Sequence, residues 1–259
     1  MNYKRFIPLI LFIGSLLPLG THSLSAQEAS RCPLIISGRD TLSSPTFYFT
    51  RSMELRLISP SPNSTIYYTL DGSPAERTSP SYTSPLLLSQ SAILNILSVE
   101  MGRKESRCNR VQLRRIQGIE SVTLHAHEFI ARNGNILSLF DSLPAPFIQI
   151  PAKANEITLI INRGIATGAD SIRLNVNPDL KDEIRSIDIF LSRDGKKYFR
   201  PDKRGANKAD IKQAETITIY TAGEVFRYIK WEIRLRKAQN ANPRILPLSS
   251  IQIFSEINS

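Results

Sequence analysis

The residues able to do chemistry are few in this sequence. Three histidines and two cysteines occur among 259 residues, so His-dependent catalysis and clustered metal sites have little material. His125 and His127 form an H-x-H pair. On a strand, that spacing would place both imidazoles on one face, a geometry that suits zinc. No third ligand is signalled nearby, and the pair reads as surface or loop histidines. No Gly-x-Ser-x-Gly elbow and no Gly-rich phosphate loop is present. Glycoside hydrolysis would need two carboxylates held across a sugar on a large scaffold, and nothing here reads as one. The better candidates for holding a ligand lie in expected loops: Arg132, Asp141, Phe147, Arg163, Tyr198 and Phe199. An Arg guanidinium offers a planar fork to vicinal hydroxyls or a carboxylate, and an exposed ring stacks on an apolar sugar face. Trp231 alternates with Ile229 and Ile233, which places it inside rather than at a ligand.

The elements that must position these residues are strands. Met53, Leu55 and Leu57 alternate with Glu54 and Arg56. Ile66, Tyr68 and Leu70 repeat the pattern and stop at Asp71-Gly72, a turn pair that tolerates positive φ. Further on, Ile157/Leu159/Ile161, Ile172/Leu174/Val176, Ile187/Ile189/Leu191, Ile217/Ile219, Ile229/Trp231/Ile233/Leu235 and Ile251/Ile253 keep the same period. Apolar alternation of period two buries one face of a sheet and wets the other, the pattern of sheets packed face to face. The fold class is therefore all-β.

The front of the chain carries an address. Lys4 and Arg5 precede an apolar run from Phe6 to Leu19, and Leu24-Ser25-Ala26 ends in a small residue before Gln27. This reads as a cleaved signal peptide over residues 1–26. The apolar run is too short for a span and is broken by Pro8 and Pro18, and no later segment is apolar enough to cross a bilayer. Arg31 precedes Cys32, so a lipid-anchoring cysteine is not expected. An exported chain sits where disulfides persist, and two cysteines suggest one Cys32–Cys108 bond. The 33 basic residues fall to 31 without Lys4 and Arg5, against 23 acidic ones. Lys196, Lys197, Arg200, Lys203, Arg204, Lys208 and Lys212 crowd one turn-rich stretch, which reads either as a solvated loop or as an attractor of polyanions. Nucleic acid is not expected as a partner, since no matching motif accompanies the charge.

Two resemblances sharpen this. Ile66-Tyr67-Tyr68-Thr69-Leu70-Asp71-Gly72-Ser73-Pro74, followed by Ser81-Tyr82 and Pro85-Leu86, resembles the C-terminal domain of chitobiase and β-hexosaminidase, also called the fibronectin type III-associated domain. Residues 118–259 resemble the coagulation factor V/VIII type C, or discoidin, domain, with its galactose-binding-like jelly roll. The carriers are Ser186 through Phe199, Phe226-Arg227-Tyr228-Ile229-Lys230 and Leu248 through Phe254. The first resemblance implies an Ig-like accessory module without catalysis. The second implies loops at one end that bind glycans or anionic lipid heads, a structural ion pair for Arg227, and a structural calcium with Asp141 near the metal.

The expected architecture is thus an N-terminal Ig-like or fibronectin-like sandwich over 27–112, a linker at 113–117, and a C-terminal jelly-roll sandwich over 118–259. The expected function is an exported, non-catalytic carbohydrate-binding or adhesive envelope protein, whose ligand is a glycan or glycoconjugate, acidic ones included. It would reside in the periplasm, at the outer membrane or cell surface, or be secreted. The alternative is a structural module that binds a protein partner in an envelope complex.

Overall fold

A computed structural model of the protein describes residues 28–59, 61–141, 148–201, 215–221 and 223–255. The expected signal segment, Phe147 and the stretch containing Lys203, Arg204, Lys208 and Lys212 lie outside these residues. The described chain is nearly all β. Its two helical elements are short 3-10 turns at Gly134–Phe140 and Pro178–Glu183. No helix among the described residues is long and apolar enough to cross a membrane.

The first sandwich pairs two sheets. One runs Asp40–Thr41, Leu34–Ser37, Met53–Ile58, Leu86–Leu88; the other runs Thr46–Phe49, Val111–Arg115, Ala92–Glu100, Ser64–Thr69. The pleat does what the alternation requires. Met53, Leu55 and Leu57 are buried while Glu54, Arg56 and Ile58 are exposed. They pack with Ile66, Leu94, Ile96, Val111 and Leu113 in one core. Cys32 and Cys108 are bonded, with Cα atoms 5.7 Å apart.

The expected linker at 113–117 is corrected here. Residues 113–115 continue the strand Val111–Arg115, which pairs in parallel with Thr46–Phe49 and antiparallel with Ala92–Glu100. Its outward residues include Arg114 and Arg115, and that polarity mimics a connector in the sequence. Ile116 then belongs to the second core, and Gly118 (φ 72°) turns the chain.

The second sandwich has a five-stranded sheet, ordered Phe129–Arg132, Ser121–Ala126, Glu156–Gly168, Val225–Leu235, Ile184–Ser192. It faces a three-stranded sheet of Thr216–Tyr220, Ser171–Val176 and Leu248–Phe254. Between them lie Val122, Leu124, Leu159, Ile161, Ile229, Trp231 and Ile233 from the large sheet and Ile172, Leu174, Ile217, Ile219 and Ile251 from the small one.

The first sandwich attaches at one end of this barrel-like stack. Tyr48 of the first sandwich packs into the second core. Burial, and then the charge of Asp141, push its phenol above the usual tyrosine range. Thr50 Oγ1 donates to the Glu120 carbonyl at 2.8 Å, and Arg51 pairs with the Glu120 carboxylate. Arg114 grips Asp141 with two bonds, Nε to Oδ2 at 3.0 Å and Nη2 to Oδ1 at 2.5 Å. The Asp141 side chain is 4% exposed and that of Arg114 is 33% exposed. A bidentate charge-assisted pair of this kind fixes orientation as well as energy. Asp141→Ala is expected to cost about 2 kcal/mol, because the partly exposed guanidinium regains water but loses both bonds. Denaturant unfolding followed together with small-angle scattering should show the two sandwiches separating into distinct transitions; a wild-type profile would contradict the clamp.

Candidate functional site

The structure does not gather the five described loop candidates, Arg132, Asp141, Arg163, Tyr198 and Phe199, into one site. Asp141 is the clamp just described. Both of its oxygens accept from Arg114, so a cation already occupies the place where calcium was expected, and this carboxylate does not fit the metal. Among the described residues, no group of three His, Cys, Asp or Glu is placed to hold a metal ion. Arg163 sits in the bulge of Glu156–Gly168, where the register with Val225–Leu235 shifts between Asn162 and Thr167. Its Nη1 donates to the carbonyls of Thr167 (2.8 Å) and Phe226 (3.2 Å), and its guanidinium lies 4.7 Å from the Phe226 ring centroid. Burial lowers its pKa. These bonds commit Arg163 to the fold rather than to a ligand.

Tyr198 and Phe199 fold back against the large sheet. Phe199 exchanges two backbone bonds with Leu191, at 2.8 and 2.9 Å. The Tyr198 ring lies 4.8 Å from Lys230 Nζ, which is 4.6 Å from the Phe190 ring centroid and 2.7 Å from Glu232 Oε1. Arg132 is exposed and pairs with Thr123 at the sheet's edge strand. It shares a cross-strand row with Thr123, Ile160 and Lys230, but three strand spacings separate it from Lys230, roughly 14 Å. Phe147 lies outside the described residues.

The turn before Tyr198 is pinned by a carboxylate. Asp194 Oδ1 accepts from the Lys197 amide (2.9 Å), the Lys196 amide (2.8 Å) and Ser192 Oγ (3.1 Å). These bonds, those from the Lys197 and Lys196 amides foremost, hold its pKa down to about 2. Gly195 is required twice. Its φ is 74°, and a Cβ there would meet the Tyr228 ring at 3.1 Å. A depressed carboxylate pKa stabilises the turn above the unfolded value near 3.9 and is lost as pH falls through the folded one. The Lys196 and Lys197 amide shifts are therefore expected to titrate with a midpoint near 2, read by NMR between pH 5 and 1.5; a midpoint near 4 would contradict the anchoring.

The H-x-H pair does not share a strand face. The strand ends at Ala126, and His127 takes φ 58° in the turn that follows. Trp231 is fully buried, and Arg227 makes its expected ion pair, with Glu120 at 3.0 Å.

The structure instead presents a cleft at the opposite end of the second sandwich, away from the attached first one. It is an open cleft of about 790 Å³, lined by three separate segments: the turn His127–Glu128, residues 151–155, and residues 237–243. The strand pair beneath it ends where the Leu235 amide donates to the Asn155 carbonyl at 2.8 Å. Beyond that bond both segments leave the sheet and line the cleft. Arg244 holds their bases together. Its Nη1 donates to the Arg236 carbonyl (2.8 Å) and the Ala154 carbonyl (3.4 Å), while its Nη2 pairs with Glu183. Asn240 Oδ1 accepts from the Asn242 amide at 3.1 Å and shapes one wall. Asn155 Oδ1 is buried and accepts no hydrogen bond from a described residue. The lining is amide and ammonium with small apolar residues: Asn155, Gln239, Asn240, Lys153, Lys237, Pro151, Ala152, Ala238.

Sequence reasoning missed this site because its two main segments are about 85 positions apart and the lining contains no Phe, Tyr or Trp. The one local signal was the amide-rich, Pro-terminated run Gln239-Asn240-Ala241-Asn242-Pro243.

Comparisons with known proteins place part of the chain. A family model described as Fn3 associated matches residues 55–110, within the first sandwich. No curated protein matches. Solved structures similar to this chain include CpGH89CBM32-6 produced by Clostridium perfringens (12% identity, 52% of this chain and 93% of that one, TM-score 0.30). They also include a SusE-like protein (10% identity, 85% and 95%, TM-score 0.30). A third is a two-domain protein with unknown function from Bacteroides fragilis (10% identity, 86% and 94%, TM-score 0.32).

Proposed function

We propose that the protein is exported and binds carbohydrate without transforming it, its second sandwich being a galactose-binding-like jelly roll of discoidin type that holds the sugar in the end cleft. The observation that carries this reading is the cleft itself. It is open, built on a braced strand end, and lined by amide and ammonium groups able to hydrogen-bond a polyhydroxylated ligand. Its lining contains one carboxylate, Glu128, so the carboxyl pair common to glycoside hydrolysis is not assembled there. The first sandwich occupies the other end, which leaves this one facing outward.

Gln239 and Asn240 are exposed, so replacing both with Ala leaves the core untouched. The intact protein is expected to show saturable binding on a glycan array, and the Q239A/N240A variant to lose it. An absence of saturable binding, or release of sugar from chromogenic glycosides, would overturn the proposal.

A further inference from the structure

Resting on the carbohydrate reading, we infer that the cleft selects an anionic saccharide, one carrying a carboxylate or sulfate. Lys153 and Lys237 both line the cleft, each two positions beyond the Asn155–Leu235 backbone bond that closes the strand pair. Both are exposed, and neither has an ion-pair partner among the described residues. This contrasts with the cations that build the fold. Arg227 is neutralised by Glu120, Arg114 by Asp141, Arg244 by Glu183 and Lys230 by Glu232. Two ammonium groups thus face the space with one carboxylate, Glu128, and with His127 at the turn.

The lining has no Phe, Tyr or Trp ring, so the broad stacking platform that orients an uncharged pyranose is missing there. Orientation must come from charge and hydrogen bonds. The exposed Gln239 and Asn240 carboxamides in the lining supply hydrogen-bonding groups for sugar hydroxyls. A saccharide with an anionic group reaching the lysines and neighbouring hydroxyls at these carboxamides satisfies both requirements.

The test is calorimetric titration of the signal-free protein with matched oligosaccharide pairs. Hexuronate oligomers are compared with their methyl esters, and sulfated galactose oligomers with their desulfated forms. The acidic member of at least one pair is expected to bind about tenfold more tightly at low salt, the effect two exposed ammonium–anion contacts can supply. K153A/K237A should erase that preference while its unfolding curve stays unchanged, and added salt should shrink it. Preference for uronate alone or sulfate alone identifies which anion the lysines read, and either supports the inference. Equal binding of both members of every pair would overturn the anionic inference and leave the carbohydrate reading standing. Failure of every member to bind would overturn both. A preference that survives K153A/K237A would place the anion elsewhere and overturn the assignment to these lysines.

Discussion

Removing the Cys32–Cys108 bond is expected to lower the stability of the first sandwich by about 4 kcal/mol, the chain-entropy value for a loop of this size. The bonded cysteines are 76 positions apart, so the bond denies the unfolded chain a large set of conformations. It also ties down the entry segment. Ser98 Oγ donates to the Arg31 carbonyl at 2.8 Å and Ser30 Oγ to the Lys104 carbonyl at 3.0 Å, while the Cys108 amide bonds the Ile96 carbonyl at 2.9 Å. Those contacts hold the segment beside the sheet only while the chain is kept near. The chain contains two cysteines in all, so the second sandwich is an internal control. In the D141A background, where the clamp is cut and the two transitions separate, denaturant unfolding with and without reductant, and of C32A/C108A, should move the first-sandwich transition and leave the second in place. A loss below about 1 kcal/mol would contradict the entropic account.

Trp231→Ala should be at least as damaging, at about 4 kcal/mol. The indole is fully buried at the centre of the large sheet's inner face, paired across to Leu159 and Ile189. Small neighbours cannot refill that volume without moving strands. Trp231→Phe should cost far less. The indole Nε1 finds no acceptor in the core, so the shorter ring sheds an unpaired donor as it leaves a void, and the two effects oppose. Thermal unfolding of both variants separates these contributions. Since Trp231 is the chain's one tryptophan, its emission should be that of a dry core and should not change when saccharide binds. A binding-induced shift would return Trp231 to the ligand.

The strands were legible because their alternation is strict. Ile229, Trp231, Ile233 and Leu235 are buried and Arg234 is exposed, as a pleat demands. The fold class follows from that alternation, and the Cys32–Cys108 pairing from the count of two cysteines in a chain expected to be exported. The boundary between sandwiches was less legible. A strand ending in Arg114-Arg115 reads as polar connection, and its place in a sheet depends on Thr46–Phe49, far back in the chain.

The site was the least legible part, for a physical reason. Loop chemistry can be read from sequence, but which end of a sandwich stays open cannot. Asp141 looked like a ligand group and is consumed by Arg114 from the other sandwich. Arg163 looked like a sugar fork and spends its donors on two carbonyls. Conversely, Lys153 and Lys237 look like ordinary surface lysines until the Asn155–Leu235 bond brings their two segments to one cleft.

The most direct test of the carbohydrate site is chemical-shift mapping of the isotopically labelled, signal-free protein titrated with the tightest-binding array glycan. The account predicts saturable shifts confined to the backbone amides of Lys153, Asn155, Lys237, Gln239 and Asn240 and of the His127–Glu128 turn. Shifts centred instead on Arg132, Tyr198 and Phe199, with the cleft amides unmoved, would contradict it.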